Sequence, residues 1–219
     1  MARLKPFAFL PLALMLFVSC SNMELNIPGV AKPLFRDEFV LGQTGAWDLE
    51  SDDAGSTTIV PEQLLIEIKE PQLVQYATLT EPVLSDFSLE VDGRILSGSP
   101  QSSYGILFRM QSPEQFYRFE VTGDGTYILE RHEDGGNRAL FMGDWLDSAF
   151  INQGINAVNR LGIEAQGPSI SLFVNGELIE QVTDNAYPSG QNALDAGTFD
   201  MAPLQVAFDN LVIFPAGSR

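Results

Sequence analysis

The stretch YGILFRMQSPEQFYRFEV, residues 104–121, decides the fold, because it contains two apolar strands separated by the turn SPEQ at 112–115. Pairing the strands across this turn brings apolar residues opposite one another on one face, as a buried sheet requires. The predicted pairs are Phe108 with Phe119, Met110 with Tyr117, and Ile106 with Val121. The stretch therefore predicts an antiparallel hairpin with one face in a hydrophobic core.

The other face of this hairpin carries charged residues. In the same register Arg109 lies opposite Arg118, and like charges across a strand pair are destabilising. The next turn, GDG at 123–125, sets Glu130 opposite Arg118 and leaves Glu120 diagonal to Arg109. That turn also pairs core residues, Phe119 with Leu129 and Val121 with Tyr127. We therefore expect a mixed ladder of arginines and glutamates on this face.

Two interpretations of the charged face stay open. It is either an ion-pair ladder that keeps an exposed sheet face solvated, or a concave face that binds a glycan. In the second, charged side chains hydrogen-bond sugar hydroxyls while an aromatic residue stacks on a sugar ring. The candidate binding residues are Tyr104, Arg109, Arg118, Glu120, Glu130 and Trp145. Because arginines lie nearby, we expect both glutamates to stay ionised, which is unfavourable for a general acid.

The rest of the chain reads as short strands separated by turns, with no convincing helix. Sequences such as TGDG at 122–125 and NG at 175–176 favour the positive φ angles of hairpin turns. Further candidate strands are 34–40, 56–60, 63–69, 74–80, 87–96, 126–132, 156–166, 169–175, 176–183, 195–200 and 204–214. This pattern predicts an all-β fold, an antiparallel two-sheet sandwich or jelly roll.

The N-terminus predicts secretion and lipidation. Residues 1–19 have a basic start and a short apolar run, as in a signal peptide, and Cys20 is the one cysteine of the chain. The segment resembles a bacterial lipobox, although Phe17 stands where that family usually has leucine. We expect Cys20 to be acylated, residues 20–33 to form a tether and residues 34–219 to form the domain, on the outer side of a bacterial cell or outer membrane. An ordinary signal peptide with a chance cysteine is the alternative.

Composition excludes several classes of function. The chain carries 29 acidic and 12 basic residues; Arg3 and Lys5 lie in the signal peptide, so 10 basic residues remain and the net charge is -19. Such an acidic surface argues against binding to nucleic acid or to anionic lipid headgroups. One cysteine and one histidine, His132, do not provide a zinc site. Without a nucleophile elbow, His132 is also a weak candidate for a catalytic triad.

Several motifs resemble one known family. They are FRDEF…W near the start, FSLEVDGRI, YGILFR…FYRFEV, LFVNGELI and AGTF…VAFDNLVI. Together they resemble concanavalin A-like sandwich domains, especially the laminin-G-like and 3-keto-disaccharide-hydrolase-type domains of secreted bacterial proteins. The resemblance covers about residues 34–214. It implies a jelly roll with one concave sheet, often used to hold glycans.

The same resemblance implies two further possibilities. Sandwich domains of this kind often bind a structural calcium ion near their terminal strands, where Asp37 and Asp209 meet if those strands pair. Laminarinase-type glucanases carry Glu-x-Asp-x-x-Glu on one strand. Here Glu90 and Asp92 match, but Ile95 takes the third position, so the motif is incomplete.

The sequence therefore favours a lipid-anchored surface protein with a non-catalytic glycan-binding or adhesion domain, whose partners are glycans or cell-envelope polysaccharide. A carbohydrate-active hydrolase of the 3-keto-disaccharide type is the alternative, and a structural envelope protein without a small ligand is a third. No catalytic residue is assigned.

Overall fold

The structure is a computed structural model that describes residues 31–43 and 45–218. The predicted signal peptide, Cys20 and most of the predicted tether lie outside the described residues. Within them, sixteen strands and one short 3-10 helix at Asp134–Gly136 are present, which confirms the all-β prediction. No helix in these two ranges is both long enough and apolar enough to cross a bilayer.

The first of two antiparallel sheets has eight strands, numbered here in chain order. Seven follow one another across the sheet and β1 pairs with β16. In spatial order they are β14 (Glu177–Thr183), β13 (Ser169–Val174), β12 (Asn159–Gln166), β6 (Phe87–Ser97), β16 (Leu204–Pro215), β4 (Gln63–Ile68) and β3 (Gly55–Val60), with β1 (Phe35–Asp37) beside β16.

The second sheet also has eight strands and contains the hairpin of residues 104–121. Its spatial order places β8 and β7 near the centre. The strands are β10 (Asn137–Leu140), β9 (Thr126–Glu133), β8 (Gln115–Thr122), β7 (Ser103–Ser112), β15 (Gly190–Gly197), β5 (Val74–Leu84) and β2 (Trp47–Leu49), with β11 (Leu146–Asp147) beside β9.

The hydrophobic core lies between the two sheets. Phe87 and Phe208 of the first sheet and Phe119 and Leu194 of the second are buried in one continuous cluster. Full burial of a side chain of this size contributes roughly 1.5–3 kcal/mol. Because side chains alternate along a strand, the second sheet turns its remaining residues away from this core.

The hairpin register differs from the prediction by two residues. The observed pairs are Tyr104 with Val121, Ile106 with Phe119, and Phe108 with Tyr117. The register then shifts at a bulge before Ser112 pairs with Gln115, and Arg109 in this bulge has φ of 50°. Since side chains alternate with a period of two, a two-residue shift leaves the strand faces unchanged. The predicted core face is therefore right up to Phe108, although each predicted pair is wrong. Beyond the bulge the prediction fails, because Met110 packs with Leu107 and Phe116 on the opposite face instead of in the core.

The following hairpin confirms its prediction, with Phe119 opposite Leu129, Val121 opposite Tyr127 and Arg118 opposite Glu130. Other strand bounds differ more. The predicted strand 195–200 is instead β15, Gly190–Gly197, and the short strands β2, β10 and β11 were not predicted. These segments are too short, or too polar at their start, for alternation to reveal them.

Candidate functional site

The face of the second sheet that points away from the core is called the outer face below. It carries a row of residues from each of four adjacent strands. They are Thr126, Ile128, Glu130 and His132 of β9; Phe116, Arg118, Glu120 and Thr122 of β8; Ser103, Gly105 and Leu107 of β7; and Ala193, Asp195 and Gly197 of β15.

Three charged side chains in the middle of this face bond to one another, and we call them the buried cluster: Arg118, Glu120 and Asp195. The guanidinium of Arg118 donates from Nε to Oδ2 of Asp195 at 2.8 Å and from Nη2 to Oε1 of Glu120 at 2.5 Å. The hydroxyl of Ser103 donates to the same Oε1 at 2.6 Å. Exposed fractions are 8% for Arg118, 2% for Glu120 and 0% for Asp195, so the predicted ladder is not solvated.

Gly105 is what allows these charges to meet across three strands. It lies directly between Glu120 and Asp195, which are its neighbours on β8 and β15. A Cβ atom added at Gly105 would lie 2.0 Å from the carbonyl oxygen of Phe119, so no larger residue fits. A Cβ atom at Gly197 would in turn lie 2.7 Å from Oγ of Ser103 and 3.2 Å from Nη2 of Arg118, so both glycines leave room for the cluster.

Protonation of the buried cluster differs from the prediction. Burial raises the pKa of Glu120 to about 8 although Arg118 lowers it, and burial also raises the pKa of Asp195. The pKa of Glu120 thus shifts in the direction opposite to the one expected from its arginine neighbours. Oδ1 of Asp195 is buried and has no hydrogen-bond partner among the described residues. The charge of Arg118 and a hydrogen bond from Glu120 lower the pKa of Asp195 but do not outweigh burial.

Glu130 behaves in the opposite way. Burial opposes its ionisation, but a hydrogen bond from His132 and the charges of Arg138 and Arg118 outweigh burial, so the pKa of Glu130 lies below its usual value. Nε2 of His132 lies 2.9 Å from Oε2, and Nη1 of Arg138 lies 2.9 Å from Oε1. The imidazole also stacks on the ring of Phe116 with 4.5 Å between centroids. Glu130 is therefore an ionised carboxylate bonded to the partly exposed side chains of Arg138 and His132.

Two predicted binding residues are not on the outer face. Tyr104 is 1% exposed in the core, where its hydroxyl accepts a hydrogen bond from Asn159 at 2.9 Å. Arg109 is fully buried, and Nε and Nη2 donate to the carbonyl of Ser85 at 3.0 and 2.7 Å. Leu107, not Arg109, lies opposite Arg118. The bulge explains the error, because it turns the Arg109 side chain into the interior, where it bonds the backbone of Ser85.

Trp145 does lie beside the outer face, at the end where β8 and β15 finish. Its half-buried ring packs edge-on against Phe199, with 5.9 Å between centroids and 86° between planes, and Phe199 is 43% exposed. The pair forms one wall of a cavity of about 260 Å³ that we call the Trp145 cavity. Its other lining residues are Gln101, Thr122, Asp124 and Thr126.

The floor of the Trp145 cavity is polar and well ordered. Thr122 Oγ1 lies 2.5 Å from Oδ1 of Asp124 and 2.8 Å from Oγ1 of Thr126, and the backbone N–H of Thr126 donates to it at 3.0 Å. Thr122 pairs with Ser103, which bonds Glu120, so the buried cluster begins one residue row away. Hydroxyls beside an aromatic wall are the combination that a sugar ring needs.

Sequence reasoning missed Asp195 and Phe199 as site residues. Both fall in DAGTFD at 195–200, which predicted a strand and nothing more. A lone acid after the apolar residues Ala193 and Leu194 is a usable signal, because an acid inside a strand demands a partner. No comparable signal exists for Phe199, since its exposure depends on where the loop after β15 lies.

The calcium candidates are only partly brought together. β1 pairs with β16, as the prediction required. Both carboxylate oxygens of Asp37 already accept hydrogen bonds, from Phe39 N at 2.7 Å and from Trp47 Nε1 at 2.8 Å, whereas Asp209 lies opposite Asp92. In the part of the chain that the structure describes, no group of three or more His, Cys, Asp or Glu is placed to hold a metal. Calcium binding stays a prediction.

A family model named 3-keto-alpha-glucoside-1,2-lyase-like domain matches residues 42–213. The chain belongs to this family. The concanavalin A-like resemblance read from the sequence is thereby confirmed. No curated protein matches the chain at a significant level.

Solved structures show the same fold at low sequence identity. A carbohydrate-binding module, CBM66 from Bacillus subtilis, has a TM-score of 0.60 and 17% identity over 77% of this chain and 95% of that one. The catalytic domain of a Thermotoga petrophila endo-1,3-beta-glucanase (laminarinase) has a TM-score of 0.61 and 11% identity, over 85% of this chain and 98% of that one. A Bacillus licheniformis beta-glucanase has a TM-score of 0.59 and 10% identity, over 86% of this chain and 99% of that one. These matches establish a jelly-roll sandwich.

The incomplete glucanase motif lies on the other sheet of this 3-keto-alpha-glucoside-1,2-lyase-like domain. Glu90 and Asp92 belong to β6 of the first sheet, and Asp92 accepts two hydrogen bonds from Arg160 at 2.8 and 2.9 Å. Neither residue reaches the outer face, so this motif contributes nothing to the Trp145 cavity.

Proposed function

We propose that this chain is the carbohydrate-recognition domain of a secreted bacterial lipoprotein and binds a glycan in the Trp145 cavity. Acylation of Cys20 would hold the domain on the outer side of the cell membrane or outer membrane. The observation that carries the proposal is the pairing of Trp145 and Phe199 beside the hydroxyls of Thr122 and Thr126.

The chemistry of the cavity fits a sugar. The ring faces of a pyranose carry C–H groups, which pack on aromatic side chains, and its hydroxyls bond to groups that both donate and accept. Thr122 and Thr126 provide hydroxyls, Gln101 an amide and Asp124 a carboxylate. The strong negative charge of the chain suits a neutral ligand better than an anionic one.

The similar proteins support the same proposal. CBM66 is a carbohydrate-binding module, and both glucanases act on β-glucans according to their names. The family name itself refers to a 3-keto-α-glucoside. What these proteins share with this chain is the jelly-roll fold.

A glycan array tests the proposal. The full chain, purified in detergent, is compared with Trp145→Ala and with Phe150→Ala, which removes an exposed aromatic residue outside the cavity. We expect the unmodified chain and Phe150→Ala to bind the same glycans, and Trp145→Ala to bind at least about tenfold more weakly. If no glycan is bound, or if Trp145→Ala binds as well as the control, the proposal is wrong. Mass spectrometry of the N-terminus checks acylation of Cys20.

A second candidate is cleavage of a 3-keto-α-glucoside, and two observations favour it. The family name implies a lyase, which would remove the proton from the carbon next to the ketone while the glycosidic C–O bond breaks and the leaving group takes a proton. His132, partly exposed and bonded to the ionised Glu130, is the side chain best placed to accept that proton. Against it, the carboxyl groups of Glu120 and Asp195 are buried and therefore do not reach a substrate as acid or base.

Chromatography distinguishes cleavage from binding. The chain is incubated with a 3-keto-disaccharide, and release of the free sugar is followed beside the variant His132→Gln. Turnover that His132→Gln abolishes would establish the enzyme. Binding on the array without any turnover would leave recognition as the function, and the absence of both would indicate a structural envelope protein.

A further inference from the structure

A second cavity adjoins the Trp145 cavity on the far side of one short ridge. Its volume is about 570 Å³, and we call it the Met201 cavity. The Trp145 cavity is lined by Gln101 and Phe199, and the Met201 cavity by Ser99 and Asp200, their near neighbours in sequence. Because Phe199 and Asp200 are consecutive residues, the two cavities lie on either side of the loops at 99–101 and 199–203. These two loops form the ridge.

The sizes of the cavities bear on the length of the ligand. Sites that enclose a drug-sized molecule measure roughly 300–1,000 Å³. The Trp145 cavity, at about 260 Å³, falls just below that range, whereas the Met201 cavity lies inside it. A ligand larger than a single sugar unit would therefore extend out of the Trp145 cavity. The Met201 cavity is the neighbouring space that could receive the rest of it.

The ridge between the cavities is held in place by the backbone of another loop. The N–H of Gln72 donates to the carbonyl of Phe199 at 2.8 Å, and Oγ1 of Thr198 donates to the carbonyl of Glu70 at 2.7 Å. A ridge fixed by such bonds loses little conformational entropy when a ligand binds. Phe199 is therefore presented as a rigid surface to both sides.

Each cavity combines an exposed apolar side chain with polar groups. Met201 is 55% exposed on the ridge, and its Cα can lie at most about 7 Å from that of Phe199. The two side chains are thus close enough to contact rings of one and the same sugar chain. Lys69 lines the Met201 cavity, and its ammonium group has three donors, one of which bonds the carbonyl of Asp53 at 3.3 Å.

Charge selects among sugar chains. One carboxylate lines each cavity, Asp124 in the first and Asp200 in the second, and the chain as a whole has a formal charge of -17. An anionic sugar chain, such as one built from uronic acids, would meet repulsion from Asp124 and from the net charge of the chain, and in the second cavity Lys69 only offsets Asp200. A neutral chain would not.

We propose that the ligand is a neutral oligosaccharide of three or more sugar units that passes over Phe199 and occupies both cavities. This inference rests on the proposed function and extends it by naming the length and charge of the ligand. The Trp145 cavity binds one end of the oligosaccharide, and the Met201 cavity binds the units that follow.

Calorimetric titration of the full chain with oligosaccharides of increasing length tests this inference. The probes are glucose oligomers of two to six units, with α-1,4 or β-1,3 linkages, and oligogalacturonates of the same lengths. We expect one neutral series to bind, with the hexamer at least about tenfold tighter than the dimer, and the oligogalacturonates not to bind. Equal affinity for dimer and hexamer, or tighter binding of the oligogalacturonates, would overturn the inference.

Variants separate the two cavities. The double variant Lys69→Ala/Met201→Ala should lose the advantage of the longer oligomers and keep the affinity for the dimer. Trp145→Ala should weaken binding at every length, and Leu178→Ala, an exposed apolar residue outside both cavities, should change neither. If neither glucose series binds, the two-cavity inference fails, while binding of another glycan on the array would keep the proposed function.

Discussion

In the middle of the outer face, Arg118, Glu120 and Asp195 bond to one another and leave almost no surface to solvent. At the Trp145 end of the same face, Phe199 is largely exposed and the threonine hydroxyls line an open cavity. The two regions lie one residue row apart and use polar groups for opposite purposes. Charges in the middle hold three strands together, whereas polar groups at the end line a cavity.

The comparison teaches that a charged strand pattern is a poor guide to a binding site in this sandwich. Arg118 and Glu120 attract attention in the sequence because charges stand among apolar residues. In the structure their partners are each other and Asp195, because a buried charge is stable only when it is paired. The available surface is instead made by loops, where backbone course decides exposure.

The largest expected effect is a loss of stability when the buried cluster is disrupted. If this loss were absent, the contrast between the buried cluster and the Trp145 cavity would not hold. Replacing Arg118 by methionine leaves Asp195 buried without its counter-ion and removes a donor from Glu120. We expect the free energy of unfolding to fall by about 3–5 kcal/mol, which is typical when one partner of a buried ion pair is removed. Urea denaturation followed by circular dichroism measures this. A loss below about 1 kcal/mol would show that the cluster is solvated after all.

The next effect concerns how the stability of the protein depends on pH, and it tests the protonation of Glu120 in the buried cluster. The folded-state pKa of Glu120 is raised to about 8 from an ordinary 4.5, so the folded protein keeps a proton that the unfolded chain releases. This contribution is fully present below about pH 4.5 and is lost as pH rises through about 8. Glu120→Gln cannot ionise at this position, so we expect its free energy of unfolding not to fall in this way as pH rises.

Urea titrations of both proteins from about pH 5 to about pH 9 check the prediction. The difference in unfolding free energy between the two proteins should grow with pH in favour of Glu120→Gln. Groups that do not interact with Glu120 cancel in this difference, since both proteins contain them. Parallel curves would mean that Glu120 is ionised in the folded protein throughout this range.

The smallest effect is expected at the rim of the same face. Arg138 pairs with Glu130 at 2.9 Å, but its side chain is 54% exposed. Exposed ion pairs contribute only about 0.2–1 kcal/mol. Arg138→Ala should therefore lower the free energy of unfolding by no more than that amount in the same urea assay, and added salt should reduce the difference further. A loss as large as that of Arg118→Met would erase the distinction between buried and rim charges.

Much of the fold could be predicted because it depends on local alternation. Ile106, Phe119 and Leu129 mark the core face whatever the pairing, since a shift of two residues leaves each face intact. The hairpin turn at 123–125 also fixes its own register, so Arg118 faces Glu130 as expected. The two-sheet sandwich and the family follow from such elements.

The site could be predicted less well, because it depends on contacts between distant parts of the chain. Glu120 meets Asp195 across 75 positions of sequence, with Gly105 between them, and Trp145 meets Phe199 from a different loop. One bulge sends Arg109 into the interior, and local sequence does not reveal it. Alternation thus specifies which residues form strands and which strand face is apolar. Long-range strand pairing and loop packing decide which charges are sealed and which aromatic rings stay open, because burial is a property of the assembled sandwich.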